Sequence, residues 1–406
     1  MSYSKEIKLL MSQYFKWYRI VTNKSLSEIS YKINCDYRTY RDIEKGIIKK
    51  DNSYYNKLIN YLKIQFYSNY EPLYECYDLI EPLYDAIEKY NYEIVNSILI
   101  DMKNKISSLS NYIFYKELFL TIEIIEKHYI NNLYLSIEEI YQAIKYSKLW
   151  NNKLSSILIE ACEKSNLNIH YNLDVSNELY KDICMQDAIS KYWYARECVM
   201  HVNYAEALDL YKELINYYDN IGNYERKLNV MLNEFAVYRD IDIKKANEYM
   251  LLLEKESEKK YFTNKSKKNL NYTIAIFYYF QNNYKKALYY FKESYQYGIR
   301  DVCLIFIYAC ESRLNQLEKI THNFNSSHPL YNYIEYFEKK ADKCESRILE
   351  EHIFEKIIPI LMSDKYEEPF WSMFGFEINQ LVENTKRYKK LKKFNNFMSQ
   401  STKSTT

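Results

Sequence analysis

Apolar residues recur at helical spacing along most of the chain, and short polar clusters separate the helical segments. In the first segment the apolar positions fall three and four residues apart, at Ile7, Leu10, Met11, Tyr14, Phe15 and Tyr18. These offsets place the side chains on one face of an α-helix. The 406 residues include only four glycines and five prolines, whereas a β-rich protein needs both at its turns. The pattern therefore predicts an all-α protein.

Capping and turn residues indicate two short helices after the first segment. Ser25, with Glu28 three residues later, has the pattern of a helix N-terminus. Asn34 then stands where a tight turn requires a left-handed residue. Asp36 can cap the next helix and Gly46 can end it. Two short helices joined by such a turn have the helix-turn-helix geometry.

Charge is distributed unevenly along the chain. Residues 1–66 have a net charge of +7 and the remaining residues a net of −5, within a total of +2. A basic segment on a mildly acidic body indicates that the segment meets a polyanion. Basic, hydroxyl and aromatic side chains at the helix-turn-helix can reach base edges or phosphates. The candidate DNA-contacting residues are Lys24, Ser25, Tyr37, Arg38, Thr39, Arg41 and Lys45.

The segment from Ser25 to Gly46 resembles the Xre, or phage-repressor, family of DNA-binding domains. That family has Leu-Ala before the turn, Gly within it, and Ile-x-Arg-x-Glu-x-Gly at the end of the recognition helix. The corresponding residues here are Arg19, Ile29, Ser30, Asn34, Tyr40, Ile43, Glu44 and Gly46. The resemblance implies a domain over residues 1–66 whose partner is double-stranded DNA.

Three positions depart from the family pattern. Ser30 replaces the small Ala, Asn34 replaces the Gly, and Leu26 stands where a phosphate-binding Gln is usual. The last change removes one expected DNA contact. Two alternatives stay open: a generic four-helix bundle, and a domain of this fold that no longer binds DNA. The local net charge argues against the second alternative.

Helix pairs with a repeated pattern follow the basic segment. The clearest pair has small and aromatic residues at the spacing of tetratricopeptide (TPR) repeats, namely Ala275, Tyr278, Ala287, Phe291 and Ser294. A second pair has Ala207 where the clearest pair has Ala287. We interpret residues 67–365 as a right-handed, tetratricopeptide-like helical solenoid. Capping helices are expected over 366–398 and a disordered tail over 399–406.

A repressor-type head followed by such repeats resembles the RRNPP family of cytoplasmic peptide receptors, which act in quorum sensing. In that family a short signalling peptide lies in the concave groove, where Asn carboxamides hold its backbone. The peptide changes how the two heads of a homodimer are spaced on DNA. The resemblance therefore implies that residues 67–365 are a sensor and dimerisation domain. The groove residues implied here are Arg196, Asn229, Asn233, Asn269, Tyr272 and Tyr279.

Motifs for catalysis or cofactor binding are lacking in the sequence. It has no Gly-rich phosphate loop, no His-Glu-x-x-His and no Gly-x-Ser-x-Gly, so we expect neither an enzyme nor a cofactor. The sequence contains no run of about 18 apolar residues, so we expect no membrane span. Charged residues interrupt positions 1–20, so we expect no signal peptide there. We expect a cytoplasmic protein. The alternatives are a repeat protein that binds a partner protein, and a phage or plasmid repressor without a ligand.

Overall fold

The fold is described from a computed structural model. It describes residues 3–65, 67, 69–150, 152–169, 187–298, 301–318, 330–363 and 368–401. Within these residues every regular element is helical and no strand occurs, which confirms the all-α class. The chain divides into two compact units, Met1–Ile241 and Asp242–Thr406.

Within the described residues, the first unit begins with four helices and continues with a longer series. The opening helices are α1 (Lys5–Val21), α2 (Leu26–Lys32), α3 (Tyr37–Glu44) and α4 (Ser53–Leu62). The others are α5 (Glu71–Asp78), α6 (Ile80–Glu88), α7 (Tyr92–Ile106), α8 (Tyr115–Tyr129), α9 (Ile137–Ser147), α10 (Asn152–Ile169), α11 (Ala188–Met200), α12 (Tyr204–Asn220) and α13 (Tyr224–Ile241).

Among the described residues, the second unit begins with consecutive helices that pack pairwise and ends with two longer helices after several short ones. Its helices are α14 (Ile243–Ser257), α15 (Asn264–Phe280), α16 (Tyr284–Gln296), α17 (Asp301–Arg313), α18 (Tyr331–Ala341), α19 (Ser346–His352), α20 (Ile358–Ser363), α21 (Glu368–Thr385) and α22 (Tyr388–Ser401). A π-helical turn, Ile353–Ile357, joins α19 to α20.

The caps expected around α2 and α3 are present. The Ser25 hydroxyl accepts a hydrogen bond from the Glu28 amide at 3.1 Å and begins α2. Asn34 has φ 49°, as the turn requires. The Asp36 carboxylate accepts bonds from the first amides of α3 at 2.9 and 3.1 Å. Gly46 follows α3 with φ 76°, a conformation that glycine adopts without steric cost.

The core of the first unit does not stop at the boundary expected near residue 66. Trp17 of α1 donates its indole N–H to the Lys145 carbonyl of α9 at 2.7 Å. Gln13 donates to the Leu149 carbonyl at 2.7 Å, and one hydrophobic core extends from Leu10 to Trp193. The apolar arc of α1 is wide enough to face both α2–α4 and the following helices. The head is therefore packed into the body and is not a separate compact domain.

In two of the helix pairs, the same kind of turn joins the first helix to the second. After α11, Val202 has φ 61° and the Asn203 amide bonds the Cys198 carbonyl at 2.8 Å. After α15, Asn282 has φ 58° and the following amide bonds back across the helix end at 2.9 Å. This left-handed helix C-terminus is common at Gly, and Asn can replace Gly there. Such turns explain how a glycine-poor chain ends so many helices.

Close helix crossings in the pairs are made by the small residues that the repeat pattern emphasised. Ala207 on α12 and Ala287 on α16 are fully buried, and so is Ala275 on α15. On α16, the Ser294 hydroxyl donates to the Lys268 carbonyl of α15 at 2.8 Å. A larger side chain at these positions would push the paired helices apart.

The end of the chain shares its core with the helices before it. One hydrophobic core extends from Ala275 to Phe394, so the helices expected as separate caps over 366–398 are part of the second unit. The helix α22 extends to Ser401, three residues into the expected tail. Residues 402–406 of that tail, and residues 66, 365 and 366 at the expected boundaries, lie outside the described residues.

Candidate nucleic-acid interface and ligand cavities

One face of α3 presents basic side chains to solvent. Tyr40 and Ile43 on the opposite face are fully buried and hold the helix against the core. Arg38, Arg41 and Lys45 are exposed. Arg38 and Lys45 form no salt bridge with any described residue, so their charges are available to a ligand. The buried face thus aims the basic face outward.

Tyr37 and Thr39 complete this helix. The Tyr37 ring is half-exposed beside the basic residues. The Thr39 hydroxyl donates to Asp36, the cap of α3, so it supports the helix start. That bond and the capping amides hold the pKa of Asp36 below its usual range, so the cap stays charged.

The other two expected DNA-contacting residues are engaged within the protein. Lys24 donates to the Tyr61 hydroxyl at 3.0 Å, and its ammonium lies over the rings of Tyr18 and Tyr61. Ser25 caps α2, so its oxygen is used, although its hydroxyl proton can still be donated. To bind a DNA phosphate, Lys24 must give up its hydrogen bond to Tyr61.

Two features beside α3 were not anticipated from the sequence. The Arg19 Nε–H group of α1 is shared between the two carboxylate oxygens of Glu44, at 2.8 and 3.0 Å, and this ion pair fixes the end of α3. The Tyr31 side chain on α2 is 83% exposed, far more than an aromatic ring that packs in a core. The sequence signal that could have identified Tyr31 was its position on the first helix of the helix-turn-helix pattern.

Two neighbouring cavities lie between α10, α11 and α13 in the first unit. The Arg226 cavity has a volume of about 210 Å³, and its charged lining residues are Glu160, Lys164, Arg196 and Arg226. Its other polar and aromatic lining residues include Tyr90, Tyr192, Trp193 and Asn229. The Met200 cavity has a volume of about 120 Å³ and shares Trp193 and Arg196 with it. Its further lining residues include Glu163, Glu197, Val199, Met200, Asn233 and Ala236.

A buried ion pair forms the floor of the Arg226 cavity. Arg226 donates two hydrogen bonds to Glu160, at 2.9 and 3.0 Å, and both residues are almost fully buried. Lys164 also pairs with Glu160, at 2.6 Å. Burial by itself would raise the pKa of Glu160, but the two cations outweigh it and hold that pKa well below its usual value. The carboxylate is therefore permanently charged and saturated by its partners.

Three of the six expected groove residues line these cavities. Arg196 stacks on the Trp193 ring, with 5.0 Å between the guanidinium carbon and the ring centroid. Asn229 donates to the Tyr90 hydroxyl at 2.9 Å. Asn233 donates to the Tyr192 hydroxyl at 3.0 Å and to the Asn229 carbonyl at 2.7 Å. Both carboxamides thus use their N–H groups internally and keep their oxygens as acceptors.

The other three expected groove residues lie on α15 in the second unit. Asn269 is half-buried, and the Tyr272 ring packs on Phe291 with centroids 6.0 Å apart. Tyr279 is only 4% exposed, and its hydroxyl accepts a bond from Arg313. The expectation that Tyr279 faces a groove is wrong, because its ring belongs to the core. Helical periodicity placed Tyr279 on the groove side of α15, but its ring lies on the side of α15 that packs toward α16.

Several cavity residues were missed by the sequence analysis. Glu160 and Arg226 are 66 residues apart in sequence, and no local pattern relates them. Trp193 was not selected because an aromatic residue on an amphipathic helix is usually a core residue. Its neighbour Arg196, a charged residue amid apolar ones, was the only local signal.

Comparison with known proteins identifies no relative: no family model, curated protein or solved structure matches this chain. None of the described helices combines the length and the apolar character that a bilayer span requires. Among the described residues, no cluster of His, Cys, Asp and Glu side chains is arranged to hold a metal ion.

Proposed function

We propose that this protein is a DNA-binding transcriptional regulator whose helical repeats bind a short signalling peptide. The helices α2 and α3 act as an Xre-type helix-turn-helix, and the following helix pairs act as a tetratricopeptide-like sensor. On this proposal the protein works in the cytoplasm as a homodimer, because repressor heads of this kind read paired half-sites.

The exposed basic face of α3 is the observation that carries the DNA-binding proposal. Arg38 and Arg41 project from the side opposite the buried Tyr40 and Ile43. A helix presented in this way fits the major groove, where arginine can pair with guanine edges. The net charge of +7 over residues 1–66 adds attraction for the phosphate backbone.

The cavities between α10, α11 and α13 support the peptide-binding part. Peptide backbones require hydrogen-bond donors and acceptors, and ligand sites are concave with a few well-placed polar groups. Here Asn229 and Asn233 offer carboxamide oxygens, and Arg196 offers a guanidinium without a salt bridge to any described carboxylate. Trp193 supplies an aromatic surface between them.

The DNA-binding proposal is tested by measuring affinity for the DNA upstream of the protein's own gene across a salt series. Replacing Arg38 and Arg41 together by Ala should weaken binding by at least about tenfold and make the salt dependence shallower. The matched control is Arg239→Ala with Arg347→Ala, two exposed arginines that remove the same charge elsewhere.

Each outcome separates the proposal from the alternatives. Unchanged binding by the Arg38 and Arg41 variant would remove α3 as the recognition helix. A wild-type protein that binds no DNA at any salt concentration would favour a repeat protein that binds a partner protein. Specific DNA binding without any peptide response would favour a repressor that needs no ligand.

A further inference from the structure

The two cavities differ in charge and in polarity. In the Arg226 cavity, Lys164, Arg196 and Arg226 face a single carboxylate, Glu160. That carboxylate already pairs with Arg226 and Lys164, so positive charge remains in excess. In the Met200 cavity, Val199, Met200 and Ala236 form an apolar wall. An acidic group fits the first cavity, and an apolar group fits the second.

A buried donor between the cavities lacks an acceptor. The Trp193 side chain is 4% exposed and lines both cavities. Its indole N–H is buried and has no hydrogen-bond partner among the described residues. An unpaired buried donor costs free energy, and buried polar groups in proteins are normally hydrogen-bonded. A ligand oxygen at this point would satisfy the indole N–H.

Arg196 lies where both cavities meet. It stacks on Trp193 and forms no salt bridge with any described carboxylate. The guanidinium lies over the face of the Trp193 ring, and its fork geometry matches a carboxylate. Arg196 and the Trp193 indole N–H are thus two donors about one turn apart on the same helix, α11.

We propose that the two cavities together bind the free C-terminus of a short peptide. The terminal carboxylate lies in the Arg226 cavity beside Arg196, and an apolar final side chain lies in the Met200 cavity. The acidic residues that line the Met200 cavity, Glu163 and Glu197, disfavour a carboxylate there by charge repulsion. This inference rests on the proposed peptide-binding function and specifies which end of the peptide is read.

The test compares two N-terminally biotinylated random pools of short peptides, identical except that one ends in a carboxylate and the other in a carboxamide. Wild-type protein should retain the carboxylate pool about ten- to a hundred-fold better, the effect of one charge-assisted interaction. The retained peptides, identified by mass spectrometry, should end in apolar residues. Equal retention of both pools would overturn the C-terminal assignment and leave the peptide-binding function standing.

Variants then assign the effect to Arg196. Arg196→Gln should lose most of the preference for the carboxylate pool, whereas Arg196→Lys should keep a reduced preference because it retains the charge. Arg239→Gln, an exposed arginine on α13, is the matched control and should behave as wild type. An Arg196→Gln protein that keeps the full preference would overturn the role of this residue.

A third probe separates failure of the inference from failure of the proposed function. Retention of neither pool would overturn both. Binding of N-acetyl-leucine but not of N-acetyl-leucinamide, without retention of either pool, would place a small carboxylic acid in the site and overturn the peptide assignment. DNA binding, measured separately by the salt series, is unaffected by any of these results.

Discussion

Replacing Arg226 by methionine is expected to destabilise the first unit by about 3 kcal/mol or more. The side chain is 4% exposed and joins three helices. It donates two hydrogen bonds to Glu160 on α10 and weaker ones, at 3.3 and 3.4 Å, to the carbonyls of Glu88 and Ile87 at the end of α6. Methionine has a similar length but no donor, so all of these bonds are lost, although Glu160 keeps Lys164 and the Glu88 carbonyl keeps the Asn223 amide as partners.

The magnitude follows from the burial of the pair. Removing one partner of a buried ion pair costs about 3–5 kcal/mol, because a charge remains in the interior without compensation. Lys164 still pairs with Glu160 in the variant, which favours the lower end of that range. For a unit of this size, each kcal/mol corresponds to roughly 2–4 °C in melting temperature. The expected decrease is therefore about 6–12 °C.

Thermal denaturation followed by circular dichroism measures this change. Arg239→Met makes the same substitution at an exposed position of α13 and should change stability by less than about 0.5 kcal/mol. Adding Glu160→Gln to the Arg226 variant should recover about 1 kcal/mol or more, because the buried carboxylate charge, which Lys164 alone compensates only in part, is then gone. A loss below 1 kcal/mol for Arg226→Met, or simple additivity in the double variant, would refute the reasoning.

Three further predictions concern single residues. Trp17→Phe deletes the indole bond to the Lys145 carbonyl and should cost about 1–2 kcal/mol in urea denaturation; an unchanged midpoint would show that α1 is not held by this bond. Asn34→Ala should cost about 1 kcal/mol, because Asn34 has positive φ, whereas Asn34→Gly should be neutral or stabilising; equal effects would contradict the strain argument. Burial raises the pKa of Glu88 from its ordinary 4.5 to about 7, so wild type loses stability as the pH rises through that interval. Glu88→Gln should remove that slope and gain up to about 3 kcal/mol over wild type at pH 8; parallel pH profiles would exclude this.

The packing of α1 limits how a signal could reach the basic face of α3. Arg19 of α1 holds Glu44 at the end of α3, while Trp17 and Gln13 of the same helix bond carbonyls in and after α9. Movement of the head relative to α8 and α9 requires these bonds to break. In the proposed regulator, a ligand therefore changes the placement of the first unit on DNA more readily than the position of the head within that unit.

The sequence alone determined the helical class and the local details of α2 and α3. Ser25, Asn34 and Asp36 act within three residues of their own positions, through amide bonds and a backbone preference, so their roles could be read directly from the sequence. Ala207 and Ala287 were likewise identifiable, because a small residue at a repeated spacing indicates a close helix crossing. The resemblance to peptide receptors pointed to Arg196, Asn229 and Asn233, whose role in peptide binding stays a prediction.

Only the tertiary structure decided which of these residues share a site. Trp193 and Arg196 line both cavities because α11 packs between α10 and α13, and the Glu160–Arg226 pair joins residues far apart in the chain. The same long-range packing buries Tyr279 and unites the head with the body through α1. Periodicity shows that a helix has an apolar side, but the width of that side and its partners depend on the assembled core. The physical reason is that caps and turns are short-range interactions, whereas burial and ion pairing depend on neighbours that the chain brings together only when it folds.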